Sequence, residues 1–305
     1  MAINITRRKE GKMKKIVFLI AVMLLAVGLM AGCSQQDKVV RIGHKNYTEQ
    51  RLAGQMLAVL IEAKTDYETE VTEFGGTMLC FEALKNDEID VYPEYTGTGY
   101  GAILEQIEIL SPQETYDYVK DEFEKQYGIT WLDEIGWNNT YVLSVTAETA
   151  KELGVSTVSE LVPHANDMIM GCDNEFLGRT DGLPGLKETY GISFKQELPM
   201  DQSLTYAALR DGQLDVNVSF STDGRIAKFN LVNLTDDKSF FPPYYVAPIL
   251  KQDYVDANPE VVSALRELKG TFTDEDMQKY NLMVDEGTES IEVATQALRD
   301  KGLID

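Results

Sequence analysis

The sequence has few of the residues that most often carry catalysis or bind metal ions. Its 305 residues include only two histidines, His44 and His164, and neither has a partner at metal-ligand spacing. A Gly-x-Ser-x-Gly nucleophile elbow and a phosphate-binding glycine loop are also missing. We therefore predict no catalytic residue, no metal site, no cofactor and no enzymatic activity.

Cysteine and positive charge are scarce as well. The three cysteines, Cys33, Cys80 and Cys172, are too few for a disulfide framework, and we expect the last two to be buried free thiols. Lysine and arginine number 28 against 50 acidic residues, which gives a formal net charge of −22. A surface this acidic repels phosphate backbones, so we predict no nucleic-acid partner.

One long apolar run occurs, between residues 16 and 30, and it follows six basic residues. This is the pattern of a signal peptide. A membrane anchor is the alternative, but a spanning helix needs roughly 20 apolar residues and this run is shorter. Because residues 29–33 resemble a lipobox, we predict a signal peptide at 1–32, lipidation of Cys33 and a tether at 33–38. The protein would then be extracytoplasmic and anchored to the cell membrane.

Strand-like and helical segments alternate along the rest of the chain, which indicates an α/β fold. Asn46 and Glu49 have the spacing of a cap for the first helix, and Ser111 with Glu114 predicts a second helix start. By contrast, Pro163 predicts a loop.

A repeated pattern predicts two lobes. Segment 81–91 reappears in pattern as 206–216, and each reads as a helix, a polar turn and a strand. Chance similarity of a common element is the alternative. The C-terminal helical segment is expected to pack back on the first lobe, so the chain would cross between lobes twice. We place lobe 1 at 39–138 plus 243–305 and lobe 2 at 139–242.

Four aromatic residues lie at the ends of predicted strands. They are Tyr95, Tyr141, Phe220 and Tyr244. Ligands of open α/β folds bind at such strand ends, although scattered aromatics are more often part of a core. The pair Gly75-Gly76 reads as a loop entering a helix, which can offer backbone N–H groups to an anion.

Five motifs resemble the binding proteins of glycine betaine, carnitine and choline ABC importers. In the family's order they are Gly43-His44-Lys45-Asn46-Tyr47-Thr48-Glu49-Gln50, Tyr92-Pro93-Glu94-Tyr95-Thr96-Gly97-Thr98, Asn138-Asn139-Thr140-Tyr141, Phe220-Ser221-Thr222-Asp223-Gly224-Arg225 and Phe241-Pro242-Pro243-Tyr244. The resemblance covers nearly all of residues 39–303. It implies a two-lobed periplasmic-binding-protein-like fold with a cleft between the lobes.

The resemblance also assigns site residues. Tyr95, Tyr141, Phe220 and Tyr244 would form an aromatic cage, Lys45 and Arg179 would face a carboxylate, and Thr98 and Asn139 match further pocket positions. Phe220 stands where relatives often have Tyr, so the ring remains and a hydroxyl is lost.

Physical chemistry supports a cage. A trimethylammonium group has no N–H to donate, so a protein holds it by cation–π attraction and dispersion. A carboxylate on the same ligand would gain charge-assisted hydrogen bonds from Lys45 and Arg179, whereas choline would leave them unpaired. The alternative is that these two cations pair with protein acids such as Glu49 or Asp181.

The implied function is delivery of glycine betaine, or a similar quaternary amine, to an ABC permease. The cage around the ligand would be complete only when the lobes close, and the permease would recognise the closed form. Choline, carnitine and ergothioneine remain alternative ligands. A secreted enzyme and a membrane-tethered sensor domain are alternatives from other classes. We expect a monomer.

Overall fold

The architecture is two five-stranded sheets with helices packed on them, which confirms the predicted α/β, periplasmic-binding-protein-like fold. The computed structural model describes residues 38–108 and 110–305. The predicted signal peptide and Cys33 lie outside the described residues. Within those two ranges, no helix has the length and apolar character needed to cross a membrane.

The strands divide between the two sheets according to their place in the chain. They are β1 (Val39–Lys45), β2 (Glu68–Phe74), β3 (Val91–Tyr95), β4 (Ile129–Trp131), β5 (Tyr141–Thr146), β6 (Ile169–Cys172), β7 (Gln196–Pro199), β8 (Val216–Phe220), β9 (Leu231–Asn233) and β10 (Val246–Lys251). The first sheet has the order β2-β1-β3-β10-β4, and the second has the order β7-β6-β8-β5-β9. Strands β1, β2 and β3 are parallel, as are β6, β7 and β8, while β10 and β5 run antiparallel to their neighbours.

The helices lie between these strands and at the C-terminal end. They are α1 (Thr48–Lys64), α2 (Thr77–Lys85), α3 (Pro112–Tyr127), α4 (Ala147–Leu153), α5 (Val158–Ala165), α6 (Leu183–Tyr190), α7 (Gln202–Arg210), α8 (Arg225–Lys228), α9 (Gln252–Ala257), α10 (Pro259–Arg266), α11 (Asp274–Asp285) and α12 (Ser290–Asp300). A π-helical segment spans Thr98–Ile103. Helices α10, α11 and α12 all pack against α1, as expected for a C-terminal segment that returns to the first lobe.

Two connecting segments join the sheets, at 132–140 and 234–245. They lie side by side, because Asn138 and Tyr245 form an antiparallel bridge and the Asn139 N–H donates to the Tyr244 carbonyl at 3.0 Å. The repeated pattern forms α2 with β3 in the first sheet and α7 with β8 in the second. The exact lobe boundaries stay a prediction.

Local sequence signals succeed for one helix start and fail for another. Ser111 and Glu114 form a reciprocal capping box at the start of α3, as predicted. Helix α1 instead begins after Tyr47 and has no side-chain cap, so the predicted Asn46–Glu49 cap is wrong. The side chain of Glu49 is buried and takes other donors.

Two further expectations have clear outcomes. Pro163 lies inside α5, so the predicted loop is also wrong. Helix α5 has a capping box at Thr157 and buries the side chains of Val158 and Leu161, and this packing outweighs the backbone hydrogen bond that proline removes. Cys80 and Cys172 are free and buried, as predicted.

Candidate functional site

One cavity of about 220 Å³ lies between the two sheets, and every site residue predicted within the described chain lines it. These residues are Lys45, Tyr95, Thr98, Asn139, Tyr141, Arg179, Phe220 and Tyr244. They come from strand ends of both sheets, from the π-helical segment, from the connecting segments and from the loop before α6. Contributions from both sheets mean that a ligand in this cavity contacts both.

Tyr141 packs against four other aromatic rings. The ring of Tyr141 lies 5.2 Å from Phe220 at an interplanar angle of 34° and 5.5 Å from Tyr244 at 85°. Phe176 and Phe241 pack against Tyr141 at 5.1 Å and 5.9 Å and fix its orientation. Such crossed rings present π faces in more than one direction, which suits a roughly spherical cation.

Tyr47 is a fifth ring that the sequence prediction missed. It lines the same cavity and stacks on Phe220 with 5.4 Å between centroids and 25° between planes. Because Tyr47 directly precedes α1 and Phe220 ends β8, this stack joins elements associated with different sheets. Its signal was an aromatic residue just after the first strand, inside the motif that contains Lys45.

Both cations of the cavity are already paired with protein carboxylates. The ammonium of Lys45 lies 2.6 Å from Glu94, and both side chains are buried. The guanidinium of Arg179 donates to the two oxygens of Asp181 at 2.7 and 2.6 Å. The alternative of pairing with protein acids therefore holds for Arg179 and Asp181, whereas Lys45 pairs with Glu94 and not with Glu49.

These pairings set the charge of the cavity. Burial acts to lower the pKa of Arg179, but the carboxylate of Asp181 raises it above its usual value, so the guanidinium stays charged. Lysine has three donors and arginine five, so each cation keeps donors beyond those used by its partner. A ligand carboxylate can therefore approach as a second acceptor.

Glu49 is the acceptor for donors from many parts of the chain. Its Oε1 accepts from the Tyr95 hydroxyl at 2.7 Å, the Trp137 indole at 2.9 Å and the Asn139 amide at 2.7 Å. Its Oε2 accepts from the Asn281 amide at 2.9 Å and from the hydroxyl of Thr222. Burial raises the pKa of Glu49, although these hydrogen bonds act to lower it.

Three acceptor atoms of cavity-lining residues lack a hydrogen-bond partner. They are Asn139 Oδ1, Asp173 Oδ2 and Gln202 Oε1. Burial raises the pKa of Asp173, because desolvation disfavours its charged form. Over the described ranges, no cluster of three or more histidine, cysteine, aspartate or glutamate side chains is placed to hold a metal ion. The cavity therefore offers rings, paired cations and spare acceptors, which is binding chemistry.

The fold and the cavity together define a solute-binding protein, in which two α/β lobes close around a small ligand. The chain belongs to the family described as the substrate-binding domain of the ABC-type glycine betaine transport system, whose family model matches residues 38–300. It is therefore a substrate-binding protein of an ABC importer and not an enzyme. Such proteins bind their solute outside the cytoplasm, so the chain is extracytoplasmic.

Individual relatives are similar over nearly their whole length. The carnitine transport binding protein OpuCC of Listeria monocytogenes is 36% identical over 282 residues, which cover 89% of this chain and 92% of the relative. A glycine-betaine-binding protein of Pseudomonas aeruginosa is 33% identical over 294 residues, with coverage of 92% and 94%. A crystal structure described as a glycine betaine/carnitine/choline ABC transporter matches with a TM-score of 0.73 and 33% identity, and it covers 87% of this chain and 100% of that one.

Proposed function

We propose that this protein binds glycine betaine or a closely related quaternary amine in the cavity and delivers it to an ABC permease. The observation that carries the proposal is that five aromatic rings line one small cavity: Tyr47, Tyr95, Tyr141, Phe220 and Tyr244. Relatives named for glycine betaine and for carnitine support the same ligand class.

The rings supply the affinity. Each desolvated ring contributes roughly 0.5–2 kcal/mol to holding a cation, so several rings suffice for useful binding. The unpaired acceptor atoms of Asn139, Asp173 and Gln202, which line the same cavity, would favour a cation further. Because a quaternary ammonium donates no N–H, this attraction does not depend on hydrogen bonds.

The choice among quaternary amines rests on the other end of the ligand. A carboxylate would meet Lys45 and Arg179, which keep free donors beside Glu94 and Asp181. The expectation that choline would leave these two cations unpaired is wrong, since protein carboxylates pair both of them. Glycine betaine remains our first ligand, and choline, carnitine and ergothioneine are alternatives within the same binding mode.

Lobe closure would couple binding to transport. Lys45 and Tyr95 end strands of the first sheet, whereas Tyr141 and Phe220 bound strands of the second. A ligand held by all four contributes more contacts in the closed arrangement than in an open one, so it shifts the population toward closure. The permease would then dock on the closed form.

The remaining parts of the proposal concern the N-terminus and assembly. We expect lipidation at Cys33 and a monomeric mature protein. Incorporation of labelled palmitate into the wild-type protein, and its loss in Cys33→Ser, would test the anchor. Size-exclusion chromatography with light scattering would test the monomer.

Isothermal titration of the mature protein with glycine betaine, carnitine, choline and ergothioneine tests the function. We expect saturable binding of at least one betaine, lost in Tyr141→Ala. Tyr245→Ala is a matched control, because Tyr245 neighbours Tyr244 in sequence but does not line the cavity. Absence of binding to all four ligands would contradict the proposal.

A further inference from the structure

A carboxylate of the second lobe caps a helix of the first. Glu175, in the loop after β6, reaches the start of α2. Its Oε1 accepts from the backbone N–H of Thr77 at 2.6 Å, and its Oε2 accepts from the Thr77 hydroxyl at 2.9 Å. The two residues are 98 positions apart in sequence, so this contact is tertiary.

The equivalent helix in the second lobe is capped differently. At the start of α7, the Asp201 side chain accepts from the Ser203 N–H at 2.8 Å, so the cap is local. At the start of α2, the N-cap residue is Gly76, which has no side chain to offer. Helix N-termini carry free N–H groups and partial positive charge, and a carboxylate satisfies both. In α2 that carboxylate comes from the opposite lobe.

Gly76 leaves the space that Glu175 occupies. A Cβ atom at this position would lie 2.3 Å from Glu175 Oε1. Gly178, in the same loop as Glu175, has nothing within 4 Å of such an atom. Glycine at position 76 therefore leaves room for the contact between the lobes. At the anion site predicted at Gly75-Gly76, the N–H of the next residue, Thr77, binds the protein's own carboxylate, that of Glu175.

The contact lies at the edge of the ligand cavity. Gly76, Thr77 and Glu175 all line it, and the Glu175 side chain is 38% exposed. Glu175 also lies 3.7 Å from Arg179, the cation expected to meet a ligand carboxylate. We infer that Glu175 is a latch between the lobes, which positions them over bound ligand and sets how slowly the ligand leaves. This inference rests on the proposed function.

Dissociation kinetics test the latch. We expect Glu175→Ala to raise the dissociation rate constant of glycine betaine about tenfold, with the association rate changed less than about threefold, as is usual for contacts made only in the complex. Glu197→Ala is the matched control, because Glu197 pairs with Lys187 inside the second lobe at 2.6 Å. Stopped-flow mixing of protein with ligand gives the association rate constant, and displacement of bound glycine betaine gives the dissociation rate constant, both followed by intrinsic protein fluorescence.

A second readout does not need ligand. Spin labels at Glu82→Cys and Arg210→Cys report the separation of α2 and α7, and the native thiols of Cys80 and Cys172 are buried. We expect Glu175→Ala to shift the distance distribution of the ligand-free protein toward longer separations. Unchanged distances together with unchanged dissociation would overturn the latch. Absence of any quaternary-amine binding in the wild type, with the distance shift present, would instead overturn the ligand assignment alone.

Discussion

Two carboxylates, Glu49 and Glu175, each form hydrogen bonds between the two lobes, and their surroundings are opposite. Glu49 lies beside the connecting segments, is 4% exposed and accepts from five side chains. Glu175 lies at the solvent edge of the cavity, its side chain is 38% exposed, and it accepts from Thr77 alone across the cleft.

The difference indicates how the cleft opens. Separating Glu49 from its donors would leave several buried polar groups without a hydrogen-bond partner, at a cost of about 1–3 kcal/mol each. Separating Glu175 from Thr77 exposes both to water, which replaces part of the lost bonding, so the cost is about 1.5 kcal/mol for the whole contact. We therefore expect the lobes to separate at Glu175 while the contacts of Glu49 persist. The connecting segments beside Glu49 would then act as the hinge.

The largest expected effect is on stability at the Glu49 side. Glu49→Ala removes the acceptor for Tyr95, Trp137 and Asn139, and it should lower the free energy of unfolding by about 4 kcal/mol. Glu175→Ala removes the cap of α2 and should lower it by about 1.5 kcal/mol. Urea denaturation measures both. Equal losses would show that the two carboxylates do not differ as described.

A smaller effect, on ligand dissociation, is expected from introducing a side chain at position 76, beside Glu175. Gly76→Ala places a methyl group against Glu175 Oε1, and we expect the ligand to dissociate about five times faster because the contact is displaced. Gly178→Ala is its control and should leave dissociation unchanged. A similar rate for both alanine variants, whether fast or slow, would contradict the role given to Gly76.

The smallest expected effect is that of salt on ligand dissociation, through the exposed carboxylate of Glu175. Ions screen exposed charges at a Debye length of about 10 Å in 0.1 M salt, and buried groups are screened much less. Ligand dissociation from the wild type should therefore rise about twofold between low and high sodium chloride, whereas Glu175→Ala should show little change. Equal salt dependence in both proteins would remove the electrostatic contribution from the latch.

The sequence predicted which aromatic residues line the cavity better than it predicted the contacts around them. Tyr95 and Phe220 end strands, and Tyr141 begins one. Tyr244 lies just before β10, and because strand ends meet at the cleft, motifs at these positions located the cavity. Tyr47 was missed because a single aromatic residue before a helix is not distinctive. Its role depends on the stack with Phe220.

Side-chain pairings were the least predictable part. Lys45 pairs with Glu94 across adjacent strands, and Glu175 pairs with Thr77 across the cleft, and neither spacing has a periodic signal. The Asn46–Glu49 cap failed for a related reason. Five buried donors satisfy Glu49, and local spacing gives no information about donors that arrive from distant segments.

Comparison of glycine betaine with its neutral carbon isostere tests the central claim most directly. In 3,3-dimethylbutanoate a tert-butyl group replaces trimethylammonium, so shape and carboxylate are kept while the positive charge is lost. If the five rings hold a cation, titration should show the isostere binding at least ~100-fold more weakly than glycine betaine. Equal affinities would show that the cavity recognises shape and carboxylate alone, and would contradict the aromatic cage.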